Sequence, residues 1–179
     1  MIKKPLLPII GLIWVMFFSP VLEAQELARN TLQGLDAMYL MVDALAPENE
    51  PLGVDRNELV RQMSAKLNSV GIRILSRTGW ETTHDKPVLY INVSTVKTGL
   101  AHYVYSMNVQ FFQMVSLVRD PTIQKLAMTW RTQGYLGSVY KKRLSETIYS
   151  GMTEIMDEFI ADYLSVNPER AKTASPNPN

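Results

Sequence analysis

Cysteine is absent from the 179-residue chain. In an oxidising compartment this excludes disulfide stapling, so stability has to come from packing. It also excludes lipid attachment through an N-terminal cysteine at a signal cleavage site. Histidine is scarce, with only His84 and His102, and the paired His/Cys spacing of a zinc or redox-metal site is missing; no metal site and no cofactor are expected. A cationic surplus is missing too. The 18 basic residues less Lys3 and Lys4, set against the 17 acidic residues less Glu23, leave the chain after residue 24 formally neutral. Nucleic-acid binding rests on neutralising phosphates, so no nucleic-acid partner is expected. Internal repeats, low-complexity blocks and a nucleophile elbow of the G-x-S-x-G kind are also lacking.

The start of the chain is rich in features by comparison. Met1-Ile2-Lys3-Lys4 precedes an apolar run from Leu6 to Leu22, then Glu23-Ala24-Gln25. A cationic end, a greasy core and a small residue at the cut make a secretory signal peptide over 1–24. Pro20 breaks the apolar helix and leaves an extended stretch for the peptidase. The alternative is an uncleaved anchor, since about seventeen apolar residues approach the length of a spanning helix. The reading is an exported chain, periplasmic or secreted, with about 155 residues left to build one domain.

That domain is expected over 25–167. Gln25 to Gly34 reads as a polar leader. Leu35 to Leu45 is nearly all apolar and suits a strand buried on both faces. The stretch 46–51, with Pro47 and Pro51, is a loop. Asp55 and Glu58 form a capping box, Leu59, Met63, Leu67 and Val70 make one helical stripe, and Gly71 ends the helix. Ile72 and Ile74 return as a strand, which completes a crossover unit. A polar loop over 78–86 follows.

Three further strands are expected at Pro87–Lys97, Tyr103–Val118 and Lys125–Gly134, with a turn at Asp120-Pro121-Thr122. In the last of these, Leu126, Met128 and Trp130 share a face. A closing helix capped by Ser145 carries Ile148, Met152, Ile155, Phe159 and Tyr163 inward. Its Glu154, Asp157, Glu158 and Asp162 lie on a solvated side, and Asn167-Pro168 stops it. Residues 168–179 read as a disordered polar tail. The fold class is α+β: a two-layer sandwich in the order β-α-β-β-β-β-α, with two helices on one face of a mainly antiparallel sheet.

Candidate sites are few. His84-Asp85 reads as a surface turn, and His102 as a strand-end residue. Asp36 and Asp43, roughly 23 Å apart along a strand, cannot act as an acid/base pair. Lys141-Lys142-Arg143 stands just before a helix start, where free N–H groups favour an anion, and it is either an anion or partner contact or a solvated connector. Tyr90, Asn92, Ser94, Ser106, Asn108 and Gln110 share a wet sheet face, either a partner surface or simply an exposed face. No catalytic residue is assigned.

The strands LDAMYLMVDAL, PVLYINVSTV and YVYSMNVQFF, with the helices DRNELVRQMSAKLNSVG and that ending EFIADYLSVNP, resemble in architecture a group of small bacterial envelope domains. The group includes the lipopolysaccharide-assembly lipoprotein, the N-terminal domain of the Tol-system protein TolB and auxiliary components of lipid transporters. The resemblance covers roughly Leu35 to Asn167 and implies a binding or assembly factor rather than an enzyme. The expected function is thus a non-catalytic envelope accessory that binds another envelope protein, a lipid or a polysaccharide. Transient membrane association and homo-oligomerisation are compatible with it. The alternatives are a periplasmic hydrolase whose site forms only in the fold, and a structural subunit of an envelope complex.

Overall fold

The computed structural model describes residues 24–43 and 53–170. The expected signal peptide up to residue 23, the loop at 46–51 and the last nine residues lie outside it. The described chain runs α1 (24–30), β1 (Ala37–Val42), α2 (Arg56–Ser69), β2 (Arg73–Ile74), α3 (Arg77–Thr82), β3 (Val88–Lys97), β4 (His102–Leu117), β5 (Asp120–Arg131), β6 (Tyr135–Tyr140) and α4 (Leu144–Val166). The sheet order is β2-β1-β3-β4-β5, and β6 also pairs with β4. β1 is parallel to β2 and β3; every pairing made by β4 is antiparallel.

Half of the capping box forms. Asp55 caps α2 by accepting from the Glu58 N–H at 2.7 Å, and Leu59, Met63 and Leu67 are buried. The Glu58 carboxylate takes Arg61 and Gln62 instead of reaching back, and the Asp55 N–H donates to Tyr149 Oη at 3.0 Å. Gly71, at φ +83°, takes the left-handed position, with Gly71 N–H bonded to Asn68 O and Ile72 N–H to Leu67 O. The chain can therefore turn straight from α2 into β2 beside β1. On α4, Ile148, Met152, Ile155, Phe159 and Tyr163 are all fully buried, and α2 and α4 cover one face of the sheet. Met38, Leu40, Val42, Leu89, Ile91, Val93, Met107, Val109 and Phe111 meet them from below. The two-layer α+β architecture is therefore the observed one, with, among the described residues, a further strand, β6, and further short helices, α1 and α3 among them, beyond those the sequence pattern predicts.

Several local expectations are corrected. The leader is not a mere polar extension: 24–30 is helical, and Leu32 is fully buried with Gln113 donating to Thr31 O at 3.1 Å. β1 is buried on one face only; Tyr39 on the other is half-buried under Trp80 of α3, ring to ring at 5.7 Å. α3 replaces most of the 78–86 loop, because Ser76 caps it by accepting from Gly79 N–H at 3.0 Å. The β4–β5 turn is Val118-Arg119, and Asp120-Pro121-Thr122 opens β5.

Tyr135–Tyr140 is a sixth strand that the sequence reading omits; its pattern is interrupted by Gly137, over which the Tyr105 ring lies. Ser145 does not cap α4 but donates to Gly53 O at 2.7 Å. Residues 168–170 are helical, and Arg170 pairs with Asp36. The described structure thus continues three residues past the expected domain end.

The register of β5 carries the correction that matters most for the surface. Phe111 pairs with Trp130, yet Phe112 pairs with Met128, so Thr129 is an extra residue in β5. Such a bulge switches the face on which later side chains emerge. Trp130 is buried under α4, while Leu126 and Met128 lie on the opposite, uncovered face rather than sharing Trp130's side.

Candidate functional site: the open sheet face

Strand alternation and cross-strand register build the uncovered face. Tyr90 faces Gln110, Asn92 faces Asn108 and Ser94 faces Ser106, so the six predicted face residues are brought together as three neighbouring pairs. They are not simply wet. Tyr90 Oη donates to Asp43 Oδ2 at 2.7 Å, and Asn92 Nδ2 donates to the same oxygen at 3.0 Å. Ser94 Oγ donates to Asn92 Oδ1 at 3.3 Å, and Asn108 Nδ2 to the same oxygen at 3.4 Å. Asp43 is the carboxylate that orients this ladder, and its hydrogen bond, followed by burial, raises the pKa of the Tyr90 hydroxyl. In the sequence Asp43 stands only as one of two carboxylates too far apart to act as a pair; its role as the anchor of the ladder is legible only from the fold.

Next to the ladder the face turns apolar. Met41, Trp80, Val88, Tyr90, Phe112 and Leu126 enclose a shallow hollow of about 250 Å³ whose wall is apolar throughout. Lys86 stands over the Trp80 ring at 5.3 Å. Apart from Tyr90 none of these residues is a candidate site residue in the sequence, where Leu126 is expected on the face of Trp130. Two signals were present: a lone tryptophan in a polar stretch, and methionine and phenylalanine at the non-core parity of their strands. The hollow forms only because the Thr129 bulge brings Leu126 onto this face and α3 lays Trp80 across β1.

Lys141, Lys142 and Arg143 form a short 3-10 turn between β6 and α4, exposed, with Arg143 3.8 Å from Glu146. They sit away from the ladder, at the end of β6. His102 stacks on Tyr140 with ring centroids 3.9 Å apart. A second, polar cleft of about 490 Å³ opens beside the N-terminal end of β6, between α1, α4 and the end of β5. There Asp162, expected on the solvated side of α4, instead accepts from Trp130 Nε1 at 2.9 Å and pairs with Arg29 at 2.6 Å. Glu158 accepts from Tyr135 Oη at 3.3 Å. Burial, then the Glu158 charge, raises the Tyr135 hydroxyl pKa. Among the described residues no cluster of three His, Cys, Asp or Glu side chains could hold a metal ion. No helix among them is long and apolar enough to cross a membrane.

Neither a family model nor a curated protein matches this chain. Among solved structures it is similar to rare lipoprotein B from Shewanella oneidensis, at 14% identity and a TM-score of 0.37, over 74% of this chain and 97% of that one. It is similar also to a minor lipoprotein from Acinetobacter baumannii, at 10% identity and a TM-score of 0.28, over 79% of this chain and 92% of that one. Both are bacterial lipoproteins by name, and the likeness is one of chain outline, which assigns this chain no activity.

Proposed function

We propose that this chain is a non-catalytic accessory protein of the bacterial envelope, working in the periplasm, that holds a protein partner on the open face of its sheet. The observation that carries the reading is the apolar hollow beside an oriented amide ladder. An apolar cavity next to a few fixed polar groups is the usual composition of a recognition site. Seating one leucine- or phenylalanine-sized side chain in the hollow is worth about 2 kcal/mol, about thirtyfold in Kd. The ladder at Asn92, Ser94, Ser106, Asn108 and Gln110 offers donors and acceptors to the polar groups around such a side chain. A lipid chain or a glycan is less well served, because the hollow is too shallow to bury the first and too apolar for the second.

The test is photo-crosslinking in the producing cell from a reactive residue placed at Ser94, with a control at Asn57 on α2, which is also exposed. The expected result is one protein adduct from position 94, absent from position 57 and lost when Leu126→Asp places a charge in the hollow. Adducts of lipid or polysaccharide mass at position 94, or the same proteins from both positions, overturn the reading.

A further inference from the structure

Among the described residues β6 is an open edge of the sheet. Its register on β4 is unbroken, from His102 opposite Tyr140 to Met107 opposite Tyr135, and Lys141 N–H donates to Ala101 O at 2.7 Å just beyond. Antiparallel pairs alternate between those that exchange both backbone bonds and those that exchange none. The Lys141–Ala101 bond places Val139, Gly137 and Tyr135 in the bonded class. The N–H and C=O groups of Leu136, Ser138 and Tyr140 therefore point away from β4, and among the described residues no strand pairs with them. Their side chains emerge on the open face, with Leu136 79% and Tyr140 60% exposed. β5, by contrast, is blunted by Pro121, Lys125 and a register break opposite Ser116 and Leu117, devices that discourage edge pairing. β6 has none of these.

We infer that β6 pairs antiparallel with β6 of a second copy of this chain, in the register centred on Ser138. Ser138 then faces its own twofold mate, and Leu136 faces the partner's Tyr140. Each of the three outward-pointing positions meets another, so every free ladder group gains a partner, and the two most exposed apolar side chains of the strand cover each other twice. A slip of one residue sets outward groups against inward ones and reverses the faces; a slip of two leaves Tyr140 without its mate.

The charges fit the same symmetry. Lys141, Lys142 and Arg143 close one end of β6, while Tyr135 at the other end carries Glu158 on its hydroxyl, with Glu154 close enough to act on it. An antiparallel twofold sets Lys141 of each copy opposite Tyr135 of the other, at the mouth of the polar cleft. Arg29 in that cleft is already paired with Asp162, and Arg131 lines it as well, so Glu158 and Glu154 are the groups left to receive the incoming cations. An isologous interface makes every such contact twice. An anionic lipid surface meets the three cations equally well but leaves the Leu136, Ser138 and Tyr140 backbone groups without a strand.

Sedimentation velocity on the pure full chain, as exported by its cell, tests this. A concentration-dependent dimer that weakens with added salt is expected. Ser138→Pro removes an outward N–H and no bond to β4, and should raise the dimer Kd about tenfold or more with the monomer still folded. Should that variant fail to fold, Leu136→Lys, at an exposed position, must weaken the dimer instead. Lys141→Glu should weaken it, and adding Glu158→Lys in the same chain should restore it. A monomer at every concentration, a dimer indifferent to both Ser138→Pro and Leu136→Lys, or a monomer that floats with phosphatidylglycerol vesicles through Lys141–Arg143 overturns the inference. The measurement uses no other protein, so its failure is separate from that of the crosslink at Ser94.

Discussion

The side-chain amide of Asn167 holds three backbone groups at once. Its Oδ1 accepts from Gly34 N–H at 2.7 Å, and its Nδ2 donates to Leu32 O at 3.0 Å and Tyr163 O at 2.8 Å. A few ångströms away Tyr163, fully buried, donates its hydroxyl to Leu35 O at 2.9 Å. Burial raises the pKa of that hydroxyl. These side chains stand where the end of α4 meets the turn after α1, and each satisfies carbonyls that water reaches poorly. Removing one partner of such a bond costs about 1–3 kcal/mol. Asn167→Ala should lose about that much in urea unfolding, and Asn167→Asp, which sets an anionic oxygen against the Leu32 and Tyr163 carbonyls at the end of a helix, should lose at least as much. An Asn167→Ala protein as stable as the parent would show that the junction is held by apolar packing alone. Locally, Asn167-Pro168 is only the stop of a helix; the second role of Asn167 depends on a segment 133 positions away, which no local pattern encodes.

Among the elements, α2 was the most legible and β6 the least. Cap, stripe and terminating glycine all lie within one short stretch of sequence and agree with one another, so local signals were sufficient for α2. The acid limb of stability should report on its first turn. Hydrogen bonds from Arg61 and Gln62 hold the Glu58 carboxyl at about 2, below its ordinary value near 4.3. A carboxylate so depressed contributes stability above its unfolded pKa and loses it as the pH falls from there toward 2. Glu58→Gln should therefore flatten the decline of Tm between about pH 4 and pH 2, measured by circular dichroism melts. An unchanged acid limb would mean that this exposed cluster is screened out.

The sheet was legible where alternation was unbroken, as in β3 and β4, and failed where it was not. The Thr129 bulge hides the switch that puts Leu126 and Met128 on the open face, Gly137 interrupts the pattern of β6, and Thr78 and Gly79 argue against the helix that carries Trp80. The polar half of the candidate site could be read from the sequence, because its residues alternate in two regular strands. The apolar half could not, because it needs a bulge and a helix crossing to assemble.

At the scale of the whole molecule, charge is sorted by layer. Between Arg119 and Arg143 the only acidic residue is Asp120, against Arg119, Lys125, Arg131, Lys141, Lys142 and Arg143; α4 carries Glu146, Glu154, Asp157, Glu158 and Asp162 and no basic residue. A chain close to neutral overall thus presents a cationic sheet edge beside an anionic helix, an arrangement that orients whatever approaches. The core is closed by its last helix. Phe111 and Trp130 both pack on Phe159, and Trp130 is tied to Asp162. Removing everything after Phe159 keeps all six strands yet takes away Asp162, Tyr163 and Asn167. Such a chain should lack near-ultraviolet dichroism and a cooperative melt; a cooperative transition in it would show that the sheet and α2 suffice as a folding unit.

The contacts joining residues 32–35 to residues 163 and 167 span 128 to 135 positions. Pairings so distant in sequence close late, after the hairpins of β3, β4, β5 and β6 have had time to form. When such a chain emerges from its N-terminal end, the contacts of residues 32–35 with Tyr163 and Asn167 must wait for the stretch that emerges last. The seam that ties the two ends of the domain together is therefore among the last parts of the molecule to close.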